Sequence, residues 1–568
     1  MTLDGWTLHH AVRELSTEIT RCKVDKVHQP QPDTLVLTLR APGKNPRLLL
    51  CAGAADSRLH TTEHKYENPK APPMFCMFLR KHLTGAMIAA VEQDQLERIV
   101  RFSLEAKDEL GLPKPMTLVA ELMGKYSNVM LLDERGVIMD SLRHVGEAQS
   151  RVRSVLPGLH YQTPPSDKLN PLVVSADDIA EALARRGAKG MRGWLSQILQ
   201  GVSTQTADEI LWSCAPSQED ARVAAAVKAF FDAPPQPTTY IRGGVPFFYA
   251  PQPYGSVAAD ETQGIGGVNP MLDSFYYRLR EMALIARKRE HLARVADKQL
   301  EKLASLLEKQ VFALEQAKQA EQMRTFGDLV TANIYRVTRG QRALEAQDFT
   351  TGETVTVPLD VRLSPAANAQ RYYKKYNKLK SGMDMAASRM RSTEETIAFL
   401  ESVQASLDAC ETTGELAEVE YDLQRAGVLR AAPNASARPT EKPSSPHRFM
   451  SSDGIALYAG KNNRQNDELT MRMAAPDDIW LHTKNIPGSH VLITGVKGKA
   501  PERTLLEAAT IAATLSKAGA FAKVAVDYAP RKNVRKPNGA KPGMVVYEGY
   551  NTILVTPDRA LFEKLLQK

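Results

Sequence analysis

The feature that most constrains the fold is a long, regular repeat of side chains in the second half of the chain. From residue 372 to residue 407 these side chains follow one another in alternating steps of four and three, the period that keeps one seam of a helix against a partner helix. This seam consists of Tyr372, Tyr376, Leu379, Met383, Ala386, Met390, Thr393, Ile397, Leu400, Gln404 and Leu407. A looser seam precedes it and consists of Ala293, Ala296, Leu300, Leu303, Leu307, Gln310, Leu314 and Ala317. The sequence therefore predicts two long helices that form an antiparallel coiled-coil hairpin over residues 270–430.

The segment between the two helices has a different character. Residues 326–364 contain a β-like run, VTV at 355–357, together with Gly327, Gly340, Gly352 and Pro358 as turn signals. We interpret this segment as a small tip on a stalk whose helices, at ~1.5 Å per residue, would be roughly 50–80 Å long. The alternative is a helical bundle inside a larger core, which would need a wider apolar stripe than this narrow seam.

Length and composition limit the class of protein. A chain of 568 residues is longer than one hydrophobic core usually supports, so we expect three or more domains. No run of about 18 apolar residues is present, and the start, MTLDGWTLHH, lacks the apolar core of a secretion signal. The five cysteines lie far apart without a CxxC pair, which fits a reducing cytoplasm. We therefore expect a cytoplasmic protein without a membrane segment, a metal or a cofactor.

The positive charge is concentrated near the carboxyl end. The net charge is +8, and residues 441–568 hold 19 Lys and Arg against 12 Asp and Glu. A local surplus of this kind favours a polyanionic partner, most often a nucleic acid. Solubility alone could also explain a surplus of this size.

The first part of the chain divides into three segments. Residues 1–172 resemble an α/β domain, with a helix at 8–19 and strand-like runs at 35–39, 48–50, 99–102, 117–120 and 129–132. Residues 173–233 are predicted to be helical, and LQGVSTQTADEI at 199–210 resembles the hairpin of a helix-hairpin-helix module. In that module a Gly turn lets backbone amides approach a phosphate, whereas the alternative is a purely structural turn. Residues 234–269, rich in Pro and Gly, are predicted to be a partly extended connector.

Two segments follow the predicted hairpin. Residues 431–447 are a linker rich in Pro, Ser and Ala. Residues 448–568 are predicted to form a compact α+β domain with six short strands, a helix at 501–518 and a closing helix. The whole chain is thus expected to be a multidomain α+β protein.

Several motifs in this last domain and at the start of the second long helix resemble those of the NFACT family. They are YAGKNNRQND at 458–467, DIWLHTK at 478–484, PGSHV at 487–491, VDY at 526–528, RKNVRKPNGAKPG at 531–543 and NAQRYYKKYNKLK at 368–380. The order of the predicted domains agrees with that family over essentially the whole chain. The resemblance implies an NFACT-N domain, a helix-hairpin-helix, a coiled-coil hairpin and a carboxy-terminal NFACT-R domain that binds RNA.

The resemblance also implies a function. Members of this family bind a split large ribosomal subunit that still holds peptidyl-tRNA, and they recruit charged tRNA, alanyl-tRNA in bacteria. A template-free alanine tail then grows on the stalled chain as a degradation mark. The ribosome makes the peptide bond, so the protein would be a tRNA- and rRNA-binding positioning factor and not an enzyme.

Candidate rRNA contacts are the cationic and aromatic residues of the motifs. Long cationic side chains in a Pro- and Gly-punctuated loop can follow a phosphate backbone without reading its sequence, although a solvated charge run is the alternative. Trp480 could stack on a base or belong to the core. The candidates are Lys374, Lys375, Lys378, Lys461, Arg464, Trp480, His482, Arg531, Lys532, Arg535, Lys536 and Lys541. Neither His482 nor His490 has a convincing metal-ligand spacing.

Candidate tRNA contacts lie near the start of the chain. The family uses an Asp close to the amino terminus and an Asp–Arg pair, and these fall on Asp4 and on Glu97 and Arg98. The Arg can donate in a bidentate fork, and the carboxylate can accept from a base edge. Because Glu97 is one methylene longer than Asp, its reach differs from the family pattern. An ordinary exposed salt bridge is the alternative for the pair.

Two other functions compete with this interpretation. The amino-terminal half also resembles a formamidopyrimidine-type DNA glycosylase, but Thr2 and Leu3 stand where that enzyme needs Pro and Glu. The nucleophile is therefore missing. The second alternative, a fibronectin-binding surface adhesin, would have to leave the cell without an export signal or an anchor.

Overall fold

The computed structural model describes residues 3–107, 111–148, 150, 153–187, 189–317, 319–430, 444–518 and 523–567. The chain divides into two compact units, Met1–Met282 and Ala283–Lys568. Both contain helices and predominantly antiparallel sheets, so the predicted multidomain α+β class is confirmed. Most of the predicted linker, residues 431–443, lies outside the described residues.

The first unit is organised around an antiparallel sheet of nine described strands. Its spatial order is β4-β3-β2-β1-β5-β6-β7-β8-β9. The strands are β1 (Lys23–Gln31), β2 (Thr34–Arg40), β3 (Arg47–Cys51), β4 (Arg58–Thr61), β5 (Met87–Gln93), β6 (Ile99–Lys107), β7 (Pro113–Glu121), β8 (Asn128–Leu132) and β9 (Ile138–Ser141). The five predicted strand runs fall within β2, β3, β6, β7 and β8, so they are confirmed. The sheet itself is antiparallel, which makes the domain α+β where the sequence had indicated α/β.

Two helices pack on this sheet. They are α1 (Gly5–Ile19) and α2 (Met74–Leu83). In α1 the apolar side chains recur at helical spacing, and Leu8, Leu15 and Ile19 are buried in the main core with Leu79 of α2. This packing fixes the amino-terminal end of α1 beside the loop between β5 and β6, where Gln93 Nε2 donates to the Gly5 carbonyl at 2.9 Å.

A second core in the same unit joins four helices to a small sheet. The helices are α3 (Ala176–Ala184), α4 (Met191–Ile198), α5 (Thr204–Ser213) and α6 (Asp220–Asp232). The strands are β10 (Thr238–Arg242), β11 (Val245–Ala250) and β12 (Glu261–Gly264), in the order β11-β10-β12. The segment predicted as a connector is thus mainly a folded sheet, because Tyr240, Phe248 and Tyr254 bury their rings in this core.

Long helices begin the second part of the chain. They are α7 (Val268–Ala317), α8 (Ala320–Ala332), α9 (Pro365–Ala409) and α10 (Thr413–Arg425). Leu292 and Ala296 of α7 share a core with Phe399, Leu400 and Val403 of α9. All eleven predicted seam residues of α9 are buried or half-buried, so the predicted helix and its buried side are confirmed. The period did not single out Phe399 and Val403, which are among the most buried residues of this core.

The predicted tip contains two strands, β13 (Ala343–Gln347) and β14 (Thr354–Pro358), which pair with each other. Its small core is formed with α8 and the start of α9, where Phe326 and Tyr372 make an edge-to-face contact.

The carboxy-terminal part has a six-stranded antiparallel sheet among its described residues, in the order β15-β16-β18-β17-β19-β22. The strands of this part are β15 (His447–Met450), β16 (Ala456–Ala459), β17 (Ile479–Thr483), β18 (Val491–Ile493), β19 (Val524–Pro530), β20 (Val534–Arg535), β21 (Val546–Tyr547) and β22 (Asn551–Val555). The helices are α11 (Asn463–Glu468), α12 (Glu502–Thr514) and α13 (Arg559–Leu565). Alanines of α12 pack closely on the sheet. Among the described helices, none combines the length and the apolar character needed to cross a membrane.

Candidate nucleic-acid interface

Asp4, Glu97 and Arg98 all line one cavity of the first unit, about 690 Å³ in volume. Three segments meet there: the start of α1, the loop before β6, and the turn between α4 and α5. We call the last segment, residues 199–203, the glycine hairpin. The candidate tRNA residues and the predicted helix-hairpin-helix turn were separate in the sequence, and the structure brings them to the same cavity.

Asp4 joins the starts of two helices. Its Oδ1 accepts a hydrogen bond from the Thr7 amide at 2.8 Å and so caps α1. Its Oδ2 accepts from the hydroxyls of Ser203 at 3.0 Å and Thr206 at 2.9 Å, at the start of α5. This carboxylate therefore orients the glycine hairpin against α1.

Two glycines allow these segments to approach. A Cβ on Gly5 would lie 1.9 Å from the Leu96 carbonyl oxygen and 3.0 Å from the Gly201 Cα. Gly201 has a φ of +75°, a left-handed conformation that glycine adopts without strain. The wall between α1, the Leu96 loop and the glycine hairpin thus has no room for a methyl group.

Glu97 and Arg98 differ in how they are engaged. Ser166 Oγ donates to Glu97 Oε1 at 2.6 Å. The Arg98 guanidinium is half-buried, and within the described residues it makes no hydrogen bond or ion pair. The predicted alternative of a mutual Glu97–Arg98 salt bridge is therefore not what the structure has. A planar cation with five free donors is suited to a phosphate or a base edge.

Lys168 extends the positive side of this cavity. Its Nζ donates to the Ser196 carbonyl at 2.8 Å. Burial around the ammonium group lowers the pKa of Lys168, Glu97 acts in the opposite direction and Arg98 lowers it further. Arg98 and Lys168 thus place two cations in the cavity beside the two carboxylates of Asp4 and Glu97, and the Arg98 donors remain unengaged among the described residues.

The motif at residues 458–467, which we call the Lys461 motif, uses its polar side chains inside the protein. Lys461 Nζ donates to Glu415 Oε1 at 2.6 Å, and Arg464 Nη2 lies 3.1 Å from Glu418 Oε1. Asn462 Nδ2 also donates to Glu418, at 2.6 Å. Both acids are buried on α10. Burial alone would raise the pKa of Glu415, but the Lys461 hydrogen bond and two backbone amides lower it on balance. The motif thus attaches the carboxy-terminal domain to α10.

The basic loop, residues 531–543, also pairs its cations internally. Its contacts are Arg531 Nε to the Thr470 carbonyl at 2.7 Å, Lys532 to Asp477 at 2.9 Å, Arg535 to Glu548 at 2.6 Å, Lys536 to Asp467, and Lys541 to Thr396. The Lys532 and Arg535 pairs are well exposed, and such pairs open at little cost. The Lys541 ammonium lies 5.5 Å from the centre of the Phe399 ring, so this end of the loop is docked on α9.

Comparison with known proteins gives the family. The family model described as NFACT N-terminal and middle domains matches residues 4–442, and the NFACT protein RNA binding domain matches residues 445–549. The chain belongs to the NFACT family. Its relatives include the Rqc2 homolog RqcH of Bacillus subtilis (strain 168), 34% identical over the full length of both chains. The RqcH of Streptococcus suis (strain 05ZYH33) is 35% identical over 98% of each chain. The human ribosome quality control complex subunit NEMF is 30% identical over 24% of this chain and 12% of its own.

In this NFACT chain, α9 presents three unpaired cations. Lys374, Lys375 and Lys378 are exposed, and none of them has a hydrogen bond or an ion pair within the described residues. Lys374 and Lys378 are four residues apart and so lie on the same side of the helix. These lysines are available to phosphates without breaking an internal contact.

Trp480 lies in the core of the NFACT-R domain. Its side chain is 1% exposed and packs against the rings of His482, His490 and Tyr547. Burial lowers the pKa of His482 to about 4, so this histidine is neutral at physiological pH. Of the two alternatives for Trp480, base stacking or a place in the core, the structure therefore has the core position.

Sequence reasoning missed Lys168 and Gln200 in the amino-terminal cavity. Lys168 stands in a Pro-rich segment, and Gln200 belongs to the glycine hairpin, but neither lies near Arg98 in the sequence. Gly201 was the available signal for Gln200, because a glycine turn that approaches a ligand also brings the residues next to the glycine close to that ligand. The described residues contain no group of three or more His, Cys, Asp or Glu that could hold a metal ion.

Proposed function

We propose that this protein is a ribosome quality-control factor that positions tRNA on a stalled large ribosomal subunit. It binds the subunit that carries peptidyl-tRNA and recruits a charged tRNA, alanyl-tRNA, for template-free extension of the nascent chain. The observation that carries the proposal is the meeting of Asp4, Glu97 and Arg98 at one cavity with an unpaired guanidinium. Full-length relatives named RqcH support the ribosomal role.

Each residue of the cavity has a role in this proposal. Arg98 donates to the tRNA, Glu97 accepts from a base edge or a ribose hydroxyl, and Lys168 attracts the phosphate backbone. Asp4 holds the glycine hairpin in position for the backbone amides at the start of α5. None of these groups needs to make or break a covalent bond, because the ribosome catalyses peptide transfer.

In this proposal the chain is divided into domains that bind tRNA and domains that bind the ribosomal subunit. Residues 1–172 form a glycosylase-like NFACT-N domain, 173–233 a helix-hairpin-helix domain and 234–269 its connection. A coiled-coil hairpin over 270–430, with its tip at 326–364, leads through the linker at 431–447 to the NFACT-R domain at 448–568. On the ribosomal side, the unpaired Lys374, Lys375 and Lys378 and the exposed Lys532 and Arg535 contact rRNA. A cytoplasmic protein fits this role.

The two competing functions have less support. Thr2 and Leu3 do not supply a glycosylase nucleophile. The adhesin would require a matrix-binding surface, whereas the relatives that match over the whole chain are named Rqc2 homolog RqcH, and NEMF, which matches 24% of the chain, is named as a ribosome quality control complex subunit.

A double substitution tests the proposal. Glu97→Ala with Arg98→Ala should abolish tailing of a stalled chain in a reconstituted reaction while binding to the large subunit is retained. The matched control is Asp94→Ala with Arg101→Ala, a nearby acid–cation pair with 3.4 Å between Arg101 Nη2 and Asp94 Oδ2. Tails that persist at the wild-type level in the Glu97/Arg98 variant would show that the assigned role is wrong.

A further inference from the structure

The contact between α10 and the Lys461 motif places buried acids against cations of the RNA-binding domain. Glu415, Glu418 and Asp422 are spaced by three and four residues, so they lie along one face of α10, and all three are buried. Lys461 Nζ lies 2.6 Å from Glu415 Oε1, and Arg464 Nη2 lies 3.1 Å from Glu418 Oε1. Both cations belong to the segment that matches the NFACT protein RNA binding domain. In the free chain their charges are therefore used internally.

The two sides of this contact keep separate apolar cores. The buried apolar side chains of α7, α9 and α10 form one cluster, and those of the carboxy-terminal domain form another. The contacts between the two sides are mainly polar. Asn463 Nδ2 donates to Ser402 Oγ at 2.8 Å, and Lys517 Nζ donates to Gln404 Oε1 at 2.6 Å. Domains joined in this way can move apart, because the polar groups that separate bind water or a ligand instead.

The acids of α10 do not satisfy these cations fully. The Nε and Nη2 atoms of Arg464 are buried without a hydrogen bond, although Glu418 lies close by. Burial, which Arg464 only partly offsets, raises the pKa of Asp422 to about 6. Three carboxylates thus face two cations at this contact. A phosphate would give Arg464 a bidentate partner, which suits the guanidinium fork better than the present arrangement with Glu418.

We propose that α10 is a latch on the NFACT-R domain: its acids cover Lys461 and Arg464 in the free protein, and RNA phosphates replace Glu415 and Glu418 when the domain leaves α10. The latch keeps this surface closed to other polyanions. Because one set of anions replaces another, neither cation loses its counter-charge in the exchange, and the cost of an unpaired buried charge is avoided. This inference rests on the proposed binding of rRNA.

A charge-removing double substitution tests the latch. Glu415→Gln with Glu418→Gln, in the full-length protein, keeps the shape of both side chains but removes their charge. Affinity for a labelled single-stranded RNA, measured by fluorescence anisotropy, should rise roughly tenfold. The slope of log K against log salt concentration should steepen by roughly 1.4, because two further phosphates are bound.

Two further variants show whether the gain comes from the uncovered cations. The matched control is Glu411→Gln with Glu420→Gln, which removes the same charge from acids that do not contact Lys461 or Arg464. It should leave the slope unchanged. Adding Lys461→Ala and Arg464→Ala to the Glu415/Glu418 variant should cancel the gain.

Hydrogen exchange follows the latch in the wild-type protein. The Ser444 amide donates to Glu418 Oε1 at 2.7 Å, across the contact, so saturating RNA should speed its exchange. The amides of Glu411 and Thr412 donate to Glu415 Oε2 within the cap of α10 and should keep their rates.

Three results would overturn the proposal. They are a gain in affinity no larger than that of the control, a gain that survives the loss of Lys461 and Arg464, and an unchanged exchange rate at Ser444 in the wild-type protein saturated with RNA. The last result does not depend on how stable any variant is. Failure of the proposed function is seen separately, in the tailing reaction, which reports on Glu97 and Arg98 and not on this contact.

Discussion

The amino-terminal cavity and the Lys461 motif handle their charged residues in opposite ways. In the cavity, Arg98 has no partner within the described residues, and Gln200 is buried without a hydrogen bond. In the motif, Lys461 and Arg464 are both paired with buried acids of α10. Both regions belong to family motifs, and both were predicted to contact RNA. The difference shows that a cation in a family motif has to be judged by its partner before it is assigned to a ligand.

The same criterion ranks the remaining cations. The lysines of α9 are exposed and unpaired among the described residues, whereas Lys532 and Arg535 have exposed partners and Lys536 a partly buried one. We therefore expect RNA to bind most readily at α9, and the Lys461 motif to act on the position of the carboxy-terminal domain.

The largest effect is expected at the acid that the motif surrounds. Glu418→Ala should lower the free energy of unfolding by ~3–5 kcal/mol, because it leaves the Arg464 charge without its partner. Glu418 also accepts hydrogen bonds from the Ser444 amide, the Ser444 hydroxyl and Asn462 Nδ2, so these three donors lose their acceptor as well. Chemical denaturation measures the loss. The control is Glu420→Ala, which removes a partly exposed pair with Lys288 and should cost below ~1 kcal/mol. Equal losses in the two variants would contradict the structural role of the motif.

The next effect should appear in tRNA binding. Arg98→Ala removes a fork of charged donors and should weaken tRNA affinity by roughly 10–100-fold, which corresponds to ~1.5–3 kcal/mol. Arg98→Lys keeps the charge but not the fork, and we expect an intermediate loss. Titration of labelled tRNA with each full-length variant gives the affinities. If the lysine variant binds tRNA like wild type, only the charge at position 98 matters. The planar shape of the guanidinium would then not distinguish the cavity from the Lys461 motif.

A pH series tests the buried acids of α10. Burial raises the pKa of Asp422 to about 6, above the ~3.9 of an unfolded Asp. The folded chain therefore holds the proton more tightly, and the ionised carboxylate destabilises it increasingly as the pH rises from about 4 to about 6. Asp422→Asn should be more stable than wild type by about 3 kcal/mol above pH 6 and show no advantage below pH 4. Denaturation at several pH values measures this. A constant difference across the series would mean that Asp422 does not titrate in this way.

The smallest effect concerns salt. Replacing Lys374, Lys375 and Lys378 by Ala should reduce the slope of log K against log salt concentration for binding to the large subunit by ~2–3. Lys532→Ala with Arg535→Ala should reduce it less, because these cations must first leave Asp477 and Glu548. Sedimentation at several salt concentrations provides both slopes. The reverse order would show that internal pairing does not decide which cations meet RNA.

Periodic features of the fold were predictable from the sequence. The seam of α9 was correct at every position because its spacing directly reflects which side of the helix is buried. The five strand runs of the first sheet were correct because short apolar runs bounded by turn residues indicate buried strands. The three-stranded sheet at 238–264 was not predicted, since its Pro and Gly residues resemble those of a linker. Its strands are held by pairing and by burial of Tyr240 and Phe248, which depend on contacts distant in sequence.

The candidate site shows a similar limit. The resemblance identified Asp4, Glu97 and Arg98, and the structure brings them together. The resemblance did not show that Glu415 and Glu418 neutralise Lys461 and Arg464, because the members of each pair lie 46 residues apart in the sequence. The spacing of residues in a sequence predicts which side chains are neighbours on one helix or strand. It does not predict ion pairs between different elements, because these depend on the tertiary fold. Gln200 gave no signal for the same reason.

The close approach at Gly5 limits which residues can occupy position 5. Its missing side chain lets the Leu96 carbonyl and Gly201 come together, so the width of the proposed tRNA site at this point depends on there being no Cβ at position 5. A side chain at position 5 would push the Leu96 loop away from Gly201. It would therefore move Arg98 relative to Gln200 even if neither of them were substituted. A library designed to change tRNA preference should therefore hold position 5 constant and randomise positions 97 and 98.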